Sequence, residues 1–488
     1  MPINSFENYP MSWKPDKEKL ARPIYQSLAE QMEKDIAEGF LLPGTKLPPQ
    51  RELADYLDIN FTTVTRAYKL CEYKGLIQSV MGSGTFVSAS AGTVGPMINM
   101  MYQSNVIEMG PISCFEETND LVVPMIRSVL NHMYPEQFLT YREPAGLSHQ
   151  RQAASEWLSM LGVHVSYDEL VIMTGAQNAL TLTLLTLFNP GDRIVVDSFT
   201  YANFVEVAKL NHLTLVPVRG DSQGMLPGEL DALCKQVKIS GIFLIPSCHN
   251  PTTLVMSAQR KEEIAAVVKK HDLILIEDDA DAFMTYGYVE DCGEPFFSML
   301  PDNCIYICSM SKSVCSGLRV AYIAVPRKLA ATLERTIFNT NVKTSSLDAE
   351  IITQAITTGT AAKIVERRIE LAEEANRIYY EIFADYFKKK KIPLPKKENL
   401  HRPDHLMKKF PDGSHPLPYY KWLPVDTDES IQAVSARLLS RGVSLYDSSK
   451  FLCDSKVKDK FLRISLSTAG SMELLRQGLT TIKEEICR

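Results

Sequence analysis

From about residue 105 onward, short apolar runs alternate with stretches whose apolar residues recur at helical spacing. The runs that have the length and composition of buried strands are 170–173, 193–196, 213–217, 241–245, 273–276 and 305–307. Helical periodicity fills the gaps, for example over 178–188 and 260–271. Strands that alternate with helices form mostly parallel sheets covered on both faces. The pattern predicts an α/β unit over 105–488, whose last part, about 365–488, is a long helix followed by a smaller α+β subdomain.

Polar loops directly follow several of these predicted strands. They are residues 174–177, 197–201, 247–253 and 277–279. Open α/β sheets bind their ligands at the carboxyl ends of the strands, where such loops converge. The sequence therefore predicts a ligand site at this edge of the sheet.

A lysine, Lys312, lies between two apolar runs, 305–307 and 320–325. A buried ammonium tends to lose its proton, and the neutral amine is the form that Schiff-base chemistry requires. Ser309, Ser311 and Arg319 add two hydroxyls and a guanidinium, which together suit a phosphate monoester. The set predicts a pyridoxal phosphate (PLP) site; the alternative is an ordinary lysine in an exposed loop.

The first 88 residues follow a different pattern. The apolar residues at helical spacing in the first predicted helix, which Gly39 and Pro43-Gly44 end, are Ile24, Leu28, Met32, Ile36 and Phe40. A second helix is predicted from Pro49 to Leu57 and a third from about Thr62 to Gly75. Two strands, 76–80 and 85–87, follow, joined by a glycine-rich turn. Three helices and a hairpin in this order predict a winged helix-turn-helix.

This segment also resembles the GntR family. The matching sequences are Pro23-Ile24-Tyr25-Gln26, Pro43-Gly44-x-Lys46-Leu47-Pro48, Arg51-Glu52-Leu53-Ala54, Thr62-Thr63-Val64-x-Arg66-Ala67-Tyr68 and Gly82-Ser83-Gly84-Thr85-Phe86-Val87. The resemblance implies that the third helix enters the major groove of DNA and that the wing approaches the minor groove. The DNA contacts that it implies are Arg51, Thr62, Thr63, Thr65 and Arg66, with Gly82, Ser83 and Gly84 in the wing.

The net charge of this segment is not basic. Residues 1–88 hold 10 Lys and Arg against 11 Asp and Glu, so DNA binding requires that the positive charge lies on one face. A winged helix that contacts only protein is the alternative.

The connecting segment and the overall composition bear on domain organisation, on membrane association and on metal binding. Residues 89–104 begin with small, polar and glycine residues and are predicted to be a linker. The 488-residue chain has 45% hydrophobic and 23% charged residues and no apolar run of membrane-spanning length. The sequence begins without an export signal, so we expect a cytoplasmic protein. The ten cysteines lack the spacing of a zinc site or a disulfide framework, and we expect no metal.

The larger unit resembles the fold-type I PLP-dependent aminotransferases over nearly all of 105–488. The matching positions are Tyr141-Arg142 with Gly146-Leu147, Gly175-Ala176-Gln177, Tyr201, Asn250-Pro251-Thr252, Asp278, Ser309-x-Ser311-Lys312, Arg319 and Arg463. The resemblance implies that Lys312 forms an internal aldimine with PLP, that Asp278 pairs with the pyridine nitrogen and that Asn250 hydrogen-bonds the phenolate oxygen. The residues that it places around the ring and the phosphate are Tyr201, which stacks on the ring, and Gly175, Ala176, Gln177, Ser309, Ser311 and Arg319. Arg463 would bind a carboxylate of the substrate or effector, and Tyr141 would reach the neighbouring subunit's site in a dimer.

Two positions depart from the aminotransferase pattern. A tyrosine is usual two or three residues after the pyridine aspartate, where this chain has Ala280 and Asp281; Tyr286 or Tyr288 could replace it. Thr253 stands where a glycine commonly follows Asn-Pro-Thr. Loss of the tyrosine should weaken proton transfer, so PLP binding is expected and fast transamination is not.

A GntR-like winged helix, a short hinge and an aminotransferase-like unit, in this order, resemble the MocR/GabR-type transcriptional regulators. The resemblance implies a head-to-tail homodimer that binds operator DNA. Its PLP site would sense a small amino-group effector, or PLP itself, through an aldimine at Lys312. An active aminotransferase with an appended winged helix is the alternative. A PLP site that has decayed to a dimerisation scaffold is a third possibility.

Overall fold

The computed structural model describes residues 11–37, 40–41, 44–73, 76–80, 84–87, 106–285, 292–392, 418–454 and 456–487. The chain divides into two compact units, residues 1–104 and 105–488. This division falls where the alternating strand and helix pattern begins in the sequence. The predicted linker, 89–104, lies outside the described residues.

The N-terminal unit is the predicted winged helix-turn-helix. Its elements are α1 (Ile24–Ala37), α2 (Gln50–Leu57), α3 (Phe61–Tyr73), β1 (Ile77–Val80) and β2 (Gly84–Val87). The Asn60 side chain caps α3, because its Oδ1 accepts a hydrogen bond from the Thr62 N–H at 2.8 Å. The two strands pair antiparallel. Leu28 and Val64 are fully buried in the shared core.

The end of α1 differs from the sequence prediction. The helix ends at Ala37, so Phe40 is not on its buried face and is 76% exposed. Leu41 takes the core position instead, and its N–H donates to the Asp35 carbonyl at 3.0 Å, which closes the helix. Trp13 also joins this core and donates to Asp35 Oδ2 at 2.7 Å. A single apolar residue in a polar segment has no periodicity, so the position of Trp13 in the core was not predicted.

The larger unit alternates strands and helices. Its strands are β3 (Ile107–Glu108), β4 (Leu170–Met173), β5 (Arg193–Asp197), β6 (Thr214–Val218), β7 (Gly220–Asp221), β8 (Gly224–Met225), β9 (Gly241–Leu244), β10 (Ile274–Asp278), β11 (Cys304–Ser309), β12 (Ala321–Ala324), β13 (Tyr420–Pro424), β14 (Val443–Ser444), β15 (Tyr446–Asp447) and β16 (Phe461–Ser465). Its α-helices are α4 (Val123–Leu130), α5 (Ser148–Ser159), α6 (Gly175–Leu187), α7 (Ala202–Leu210), α8 (Pro227–Gln236), α9 (Ala258–Lys270), α10 (Phe296–Met299), α11 (Met310–Ser313), α12 (Arg327–Thr340), α13 (Ser346–Thr357), α14 (Thr360–Lys390), α15 (Ile431–Ser440) and α16 (Met472–Ile486). Short 3-10 turns lie at Lys17–Lys19, Glu116–Leu121, Pro135–Leu139, Tyr167–Glu169, Ala282–Met284 and Ser448–Lys450.

The central sheet has seven strands in the order β4-β12-β11-β10-β9-β5-β6. Only β12 runs against its neighbours; the other pairings are parallel. All six strands predicted from apolar runs are present, which confirms the mostly parallel α/β sheet. Apolar cores cover both of its faces.

The C-terminal part is the smaller α+β subdomain. Strands β13, β16 and β15 form an antiparallel sheet, and β14 pairs parallel with β3. The long helix α14 extends a few residues beyond the predicted 364–387 at each end and finishes in a lysine-rich last turn. None of the helices within the described ranges is long and apolar enough to cross a membrane.

Candidate functional site

The polar loops predicted from the sequence meet at one edge of the central sheet. Strands β4, β5, β9, β10 and β11 point the same way, so their carboxyl ends lie at that edge. The residues placed there are Gly175 after β4, Tyr201 after β5, Asn250 after β9, Asp278 at the end of β10 and Ser309 at the end of β11. This is the edge at which open α/β sheets bind ligands.

Lys312 lies on the short helix α11, directly after β11. Its Nζ donates a hydrogen bond to the carbonyl oxygen of Ile112. Loss of solvent around the amine lowers the pKa of Lys312 to about 8, although the nearby Asp281 carboxyl opposes the shift. A substantial fraction of the amine is therefore neutral near pH 8.

Gly175, Ser311 and Arg319 form a cradle that suits an anion. Gly175 has a φ of +78°, and a Cβ at this position would lie 2.4 Å from Arg319 Nη2. Only glycine allows the guanidinium to come this close to the N-terminus of α6, where backbone N–H groups also favour negative charge. Arg319 Nη1 donates to Ser311 Oγ at 2.9 Å, and the Ser311 N–H donates to Ser309 Oγ at 3.3 Å. Ala176 continues the first turn of α6 beside this cradle.

Asp278 is buried at the end of β10 with one unsatisfied oxygen. It is 5% exposed, and its Oδ1 has no hydrogen-bond partner within the described part of the chain. Burial, together with the neighbouring carboxyls of Asp281 and Asp279, raises the pKa of Asp278 to about 7. When the carboxyl is ionised, its unpartnered Oδ1 is suited to accept a hydrogen bond from a protonated ring nitrogen.

Tyr201 and Gln177 are in contact. The Tyr201 hydroxyl donates to Gln177 Oε1 at 3.3 Å and accepts from Asn203 Nδ2 at 3.1 Å. Burial, and then the Asp278 carboxyl, raises the pKa of Tyr201 to about 12. These contacts hold the aromatic ring at the carboxyl edge of the sheet.

Arg463 is buried rather than exposed on its strand. It lies on β16 with 2% exposure, and its Nη1 donates to Asn250 Oδ1 at 3.2 Å while its Nη2 donates to the Gly110 carbonyl. The guanidinium carbon lies 5.0 Å from the ring centre of Tyr446 and 4.9 Å from that of Phe451. Burial lowers the pKa of Arg463 to about 10, and neighbouring phenols oppose this. The structure thus brings Arg463 and Asn250 together from different subdomains.

Asp281, at one of the two positions where a tyrosine is usual, interacts with Lys312. It is 8% exposed; burial raises the pKa of Asp281 to about 6, and Lys312 lowers it. The Tyr420 hydroxyl lies beside Asp281 and donates to the Cys248 carbonyl at 2.9 Å. Tyr286 and Tyr288, the candidate replacements for the phenol, lie outside the described residues.

Thr253 has a backbone conformation that glycine would adopt more readily. Its φ is +63°, in the left-handed region that disfavours a β-branched residue. The Thr253 N–H donates to the His249 carbonyl at 2.6 Å, which closes this turn.

Arg368 on α14 is a buried cation near Lys312 that was not predicted from the sequence. It has no exposed surface, and its three donor nitrogens bond Thr118 Oγ1 at 2.8 Å, the Lys312 carbonyl at 2.9 Å and the Val314 carbonyl at 2.7 Å. An arginine inside the apolar stripe of a long helix was the available signal. Arg368 therefore holds the backbone at Lys312 and at Val314, two residues further along the chain.

Helices α2 and α3 present most of the predicted DNA contacts to solvent. Arg51, Thr62 and Arg66 are exposed, and Thr63 is half-buried. The Arg51 guanidinium lies 5.7 Å from the ring centre of Phe61, which is 42% exposed at the start of α3.

Thr65 and the wing differ from these positions. The Thr65 hydroxyl faces α2 and lies 2.9 Å from Gln50 Oε1, so it is partly used within the unit. Gly84 begins β2 and is exposed, whereas Gly82 and Ser83 lie outside the described residues. Tyr141, the predicted contact to a second subunit, is 83% exposed in the single chain.

Comparison with known proteins identifies both units. Residues 24–87 match the bacterial regulatory proteins of the gntR family, and residues 114–482 match aminotransferase class I and II. The HTH-type transcriptional regulator YdeF of Bacillus subtilis is 35% identical over 99% of this chain and 98% of its own length. The chain belongs to the MocR-type transcriptional regulators. A second HTH-type regulator of that organism, YdfD, is 25% identical to this MocR-type chain over 96% of it and 97% of its own length.

Solved aminotransferases share the fold of the larger unit of this MocR-type regulator. Pyrococcus horikoshii kynurenine aminotransferase superposes with a TM-score of 0.68 at 17% identity, over 79% of this chain and 91% of that one. The multiple substrate aminotransferase of Thermococcus profundus gives 0.67 at 18% identity, over 82% and 97%. At these identities the likeness concerns the fold alone.

The residues of the site fit PLP, the cofactor that the aminotransferase family implies. The unpartnered Asp278 Oδ1 suits the ring nitrogen, and the Gly175–Arg319 cradle suits the phosphate. Lys312 offers an amine of lowered pKa for the aldehyde. Three separate features of the chain therefore match three separate groups of one cofactor.

Proposed function

We propose that this MocR-type regulator binds PLP through Lys312 and changes its binding to operator DNA when a small amino-group effector, or PLP itself, occupies the site. The proposal rests on one observation: Lys312, Asp278 and the Gly175–Arg319 cradle all lie at the same edge of the sheet. When bound, PLP supplies an aldehyde that reacts with primary amines and a ring that withdraws electrons.

In this proposal each residue has a separate role toward the cofactor. Asp278 would keep the ring nitrogen protonated, Asn250 would hydrogen-bond the phenolate oxygen and Tyr201 would stack on the ring. Arg463 holds a carboxylate of the effector, since a guanidinium binds carboxylates in a bidentate manner.

A head-to-tail homodimer is part of the proposal. Apolar side chains between residues 121 and 141 are unusually exposed: Leu130 is 56% exposed, Met133 79%, Leu139 75% and Tyr141 83%. Large apolar side chains that are exposed together in one segment are typical of a protein interface. A second copy of the chain would cover these residues and bring Tyr141 to the neighbouring site.

The visible absorption spectrum of the purified full-length protein tests the cofactor proposal. We expect a band from PLP bound to Lys312 that is absent in Lys312→Ala and that one compound from a panel of amino acids and amines shifts stably. A band that is lost with an amino acid and returns with a keto acid would instead support an active aminotransferase. The absence of any band after PLP is added would refute the Lys312 assignment and leave the DNA-binding unit unaffected.

A further inference from the structure

A large apolar side chain, that of Phe61, is exposed at the start of α3. Phe61 is the first residue of this helix and is 42% exposed. The helix packs on the core of the N-terminal unit through Val64 and Ala67, which are fully buried. Phe61 lies outside this buried stripe and is exposed together with Thr62 and Arg66. An aromatic ring therefore forms part of the surface that carries the predicted DNA contacts.

Arg51 lies against the exposed ring of Phe61. Its guanidinium carbon is 5.7 Å from the ring centre, which is a cation–π distance. Arg51 is the second residue of α2 and is itself exposed. The contact joins the N-terminal ends of α2 and α3 and restricts the orientation of the ring. An apolar group and a positive charge thus stand side by side on one surface.

The two threonine hydroxyls nearest to Phe61 in α3 use their protons within the unit. Thr62 Oγ1 donates to Asn60 Oδ1 at 2.8 Å. Thr65 Oγ1 lies 2.9 Å from Gln50 Oε1 and 3.0 Å from the Phe61 carbonyl, and its one proton serves these acceptors. The surface at this end of α3 is therefore suited to an apolar contact more than to hydrogen-bond donation by these hydroxyls.

We propose that Phe61 recognises a thymine of the operator through contact with its C5-methyl group, while Arg51 lies next to a phosphate. The N-terminal residues of the second helix of a helix-turn-helix contact base edges in the major groove. Adenine, guanine and cytosine present hydrogen-bonding groups there, and thymine adds a methyl group. A phenyl ring has no donor or acceptor, so the thymine methyl is the base-edge group that it suits. The inference rests on the DNA-binding part of the proposed function.

Replacement of thymine by uracil tests this contact, because uracil lacks only the methyl group. The wild-type full-length protein first selects a DNA fragment from a random library, and each thymine of that fragment is then replaced in turn by uracil. Fluorescence anisotropy measures the affinity of the wild type and of Phe61→Ala for every fragment. Phe40→Ala is the matched control, since Phe40 is 76% exposed and lies outside the three helices of the unit.

We expect uracil at one or more positions to weaken binding of the wild type and of Phe40→Ala by about fourfold, the effect of removing one methyl group from an apolar contact. Phe61→Ala should bind the thymine fragment at least about fourfold more weakly than the wild type, and uracil at the same positions should weaken it no further. Such a double-mutant cycle separates the methyl contact from other effects of uracil on the DNA.

Two results would overturn the assignment of Phe61 while leaving operator binding in place. The first is a wild type that binds all uracil fragments as tightly as the thymine fragment. The second is a uracil effect that persists in Phe61→Ala; its loss in Thr62→Ala instead would assign the methyl contact to Thr62. A wild type that selects no DNA sequence from the library would contradict the proposed operator binding itself, and the assignment of Phe61 with it.

Discussion

Burial changes the pKa values of two residues of the candidate site so that their neutral forms are favoured. The pKa of Lys312 is lowered to about 8 and that of Asp278 is raised to about 7, each chiefly because the charged form has lost solvent. Perturbed pKa values of this kind cluster at functional sites, because a reacting group needs a pKa that suits its task. Asp281 connects the two, since it interacts with both Lys312 and Asp278.

The rate at which PLP attaches to the protein should rise with pH through a midpoint near 8. Only the neutral amine of Lys312 reacts, and the pKa of Lys312 is about 8. Asp281→Asn removes a carboxylate that favours the ammonium, so its midpoint should fall below that of the wild type. Stopped-flow absorbance from pH 6.5 to 9.5 measures both midpoints. A wild-type midpoint near 10 would mean that the amine is solvated, contrary to the structure.

Asp278→Asn should weaken PLP binding by roughly tenfold to a hundredfold while stabilising the PLP-free protein. The pKa of Asp278 is higher in the folded state than in the unfolded state, so the folded state binds more protons between about pH 4 and pH 7. The free energy of unfolding therefore falls as the pH rises through that window. Above pH 7 the buried carboxylate is uncompensated, and its removal should raise the free energy of unfolding by about 1–3 kcal/mol. Urea titrations of wild type and variant at pH 8 and pH 5 test this. A gain as large at pH 5 as at pH 8 would contradict it.

Whole elements bring these residues into position. Helix α14 contacts the backbone at Lys312 and Val314, on and just after the short helix α11, through Arg368. Helices α2 and α3 present most of the predicted DNA contacts. In both cases the helix itself was predictable, because periodicity and capping residues are local signals. The contacts that the helix makes with other elements were not.

Arg368→Gln should destabilise the larger unit by about 3 kcal/mol or more, because it leaves buried acceptors at Thr118, Lys312 and Val314 unsatisfied. PLP binding should weaken with it, and Arg368→Lys should not restore it, since an ammonium lacks the guanidinium fork. Arg367→Gln, on the exposed face of the same helix, is the control and should cost less than about 1 kcal/mol. Thermal unfolding and the PLP absorption band measure the two effects. Equal losses in both variants would rule out a specific role for Arg368.

Arg66→Gln on α3 should weaken DNA binding and reduce the slope of log affinity against log salt by about one unit, as expected for loss of a phosphate contact. Arg66 is exposed at the predicted DNA face. Arg476→Gln, in the larger unit, should leave both quantities unchanged. Fluorescence anisotropy at several salt concentrations provides the measurement. An unchanged slope in Arg66→Gln would place Arg66 outside the DNA interface.

At the scale of the whole molecule, two units with separate cores share one chain. The larger unit leaves the apolar side chains of the 121–141 region exposed, which is a costly arrangement for a monomer in water. The proposed dimer covers them.

Leu139→Glu should therefore convert the protein from a dimer to a monomer of 54.8 kDa. Leu139 is 75% exposed in the proposed interface, and Leu210, 78% exposed at the end of α7, provides the control Leu210→Glu. A charge in an apolar interface loses solvent without gaining a partner. Light scattering after gel filtration gives the mass of each variant. A wild-type monomer, or dimers in both variants, would contradict this interface.

The sequence by itself determined the elements of the winged helix, the six parallel strands of the central sheet, the polar loops that follow those strands and the MocR-type organisation. Apolar runs, helical periodicity and turn residues are patterns over a few positions, so they can be recognised in the sequence without a structure. Only the tertiary structure decided that Asp281 interacts with Lys312, that Arg368 holds the backbone around Lys312 and that Gly110 covers Arg463. The Arg463–Gly110 contact joins residues 353 positions apart. Contacts over such distances follow from packing and burial, and no local pattern in the chain encodes them.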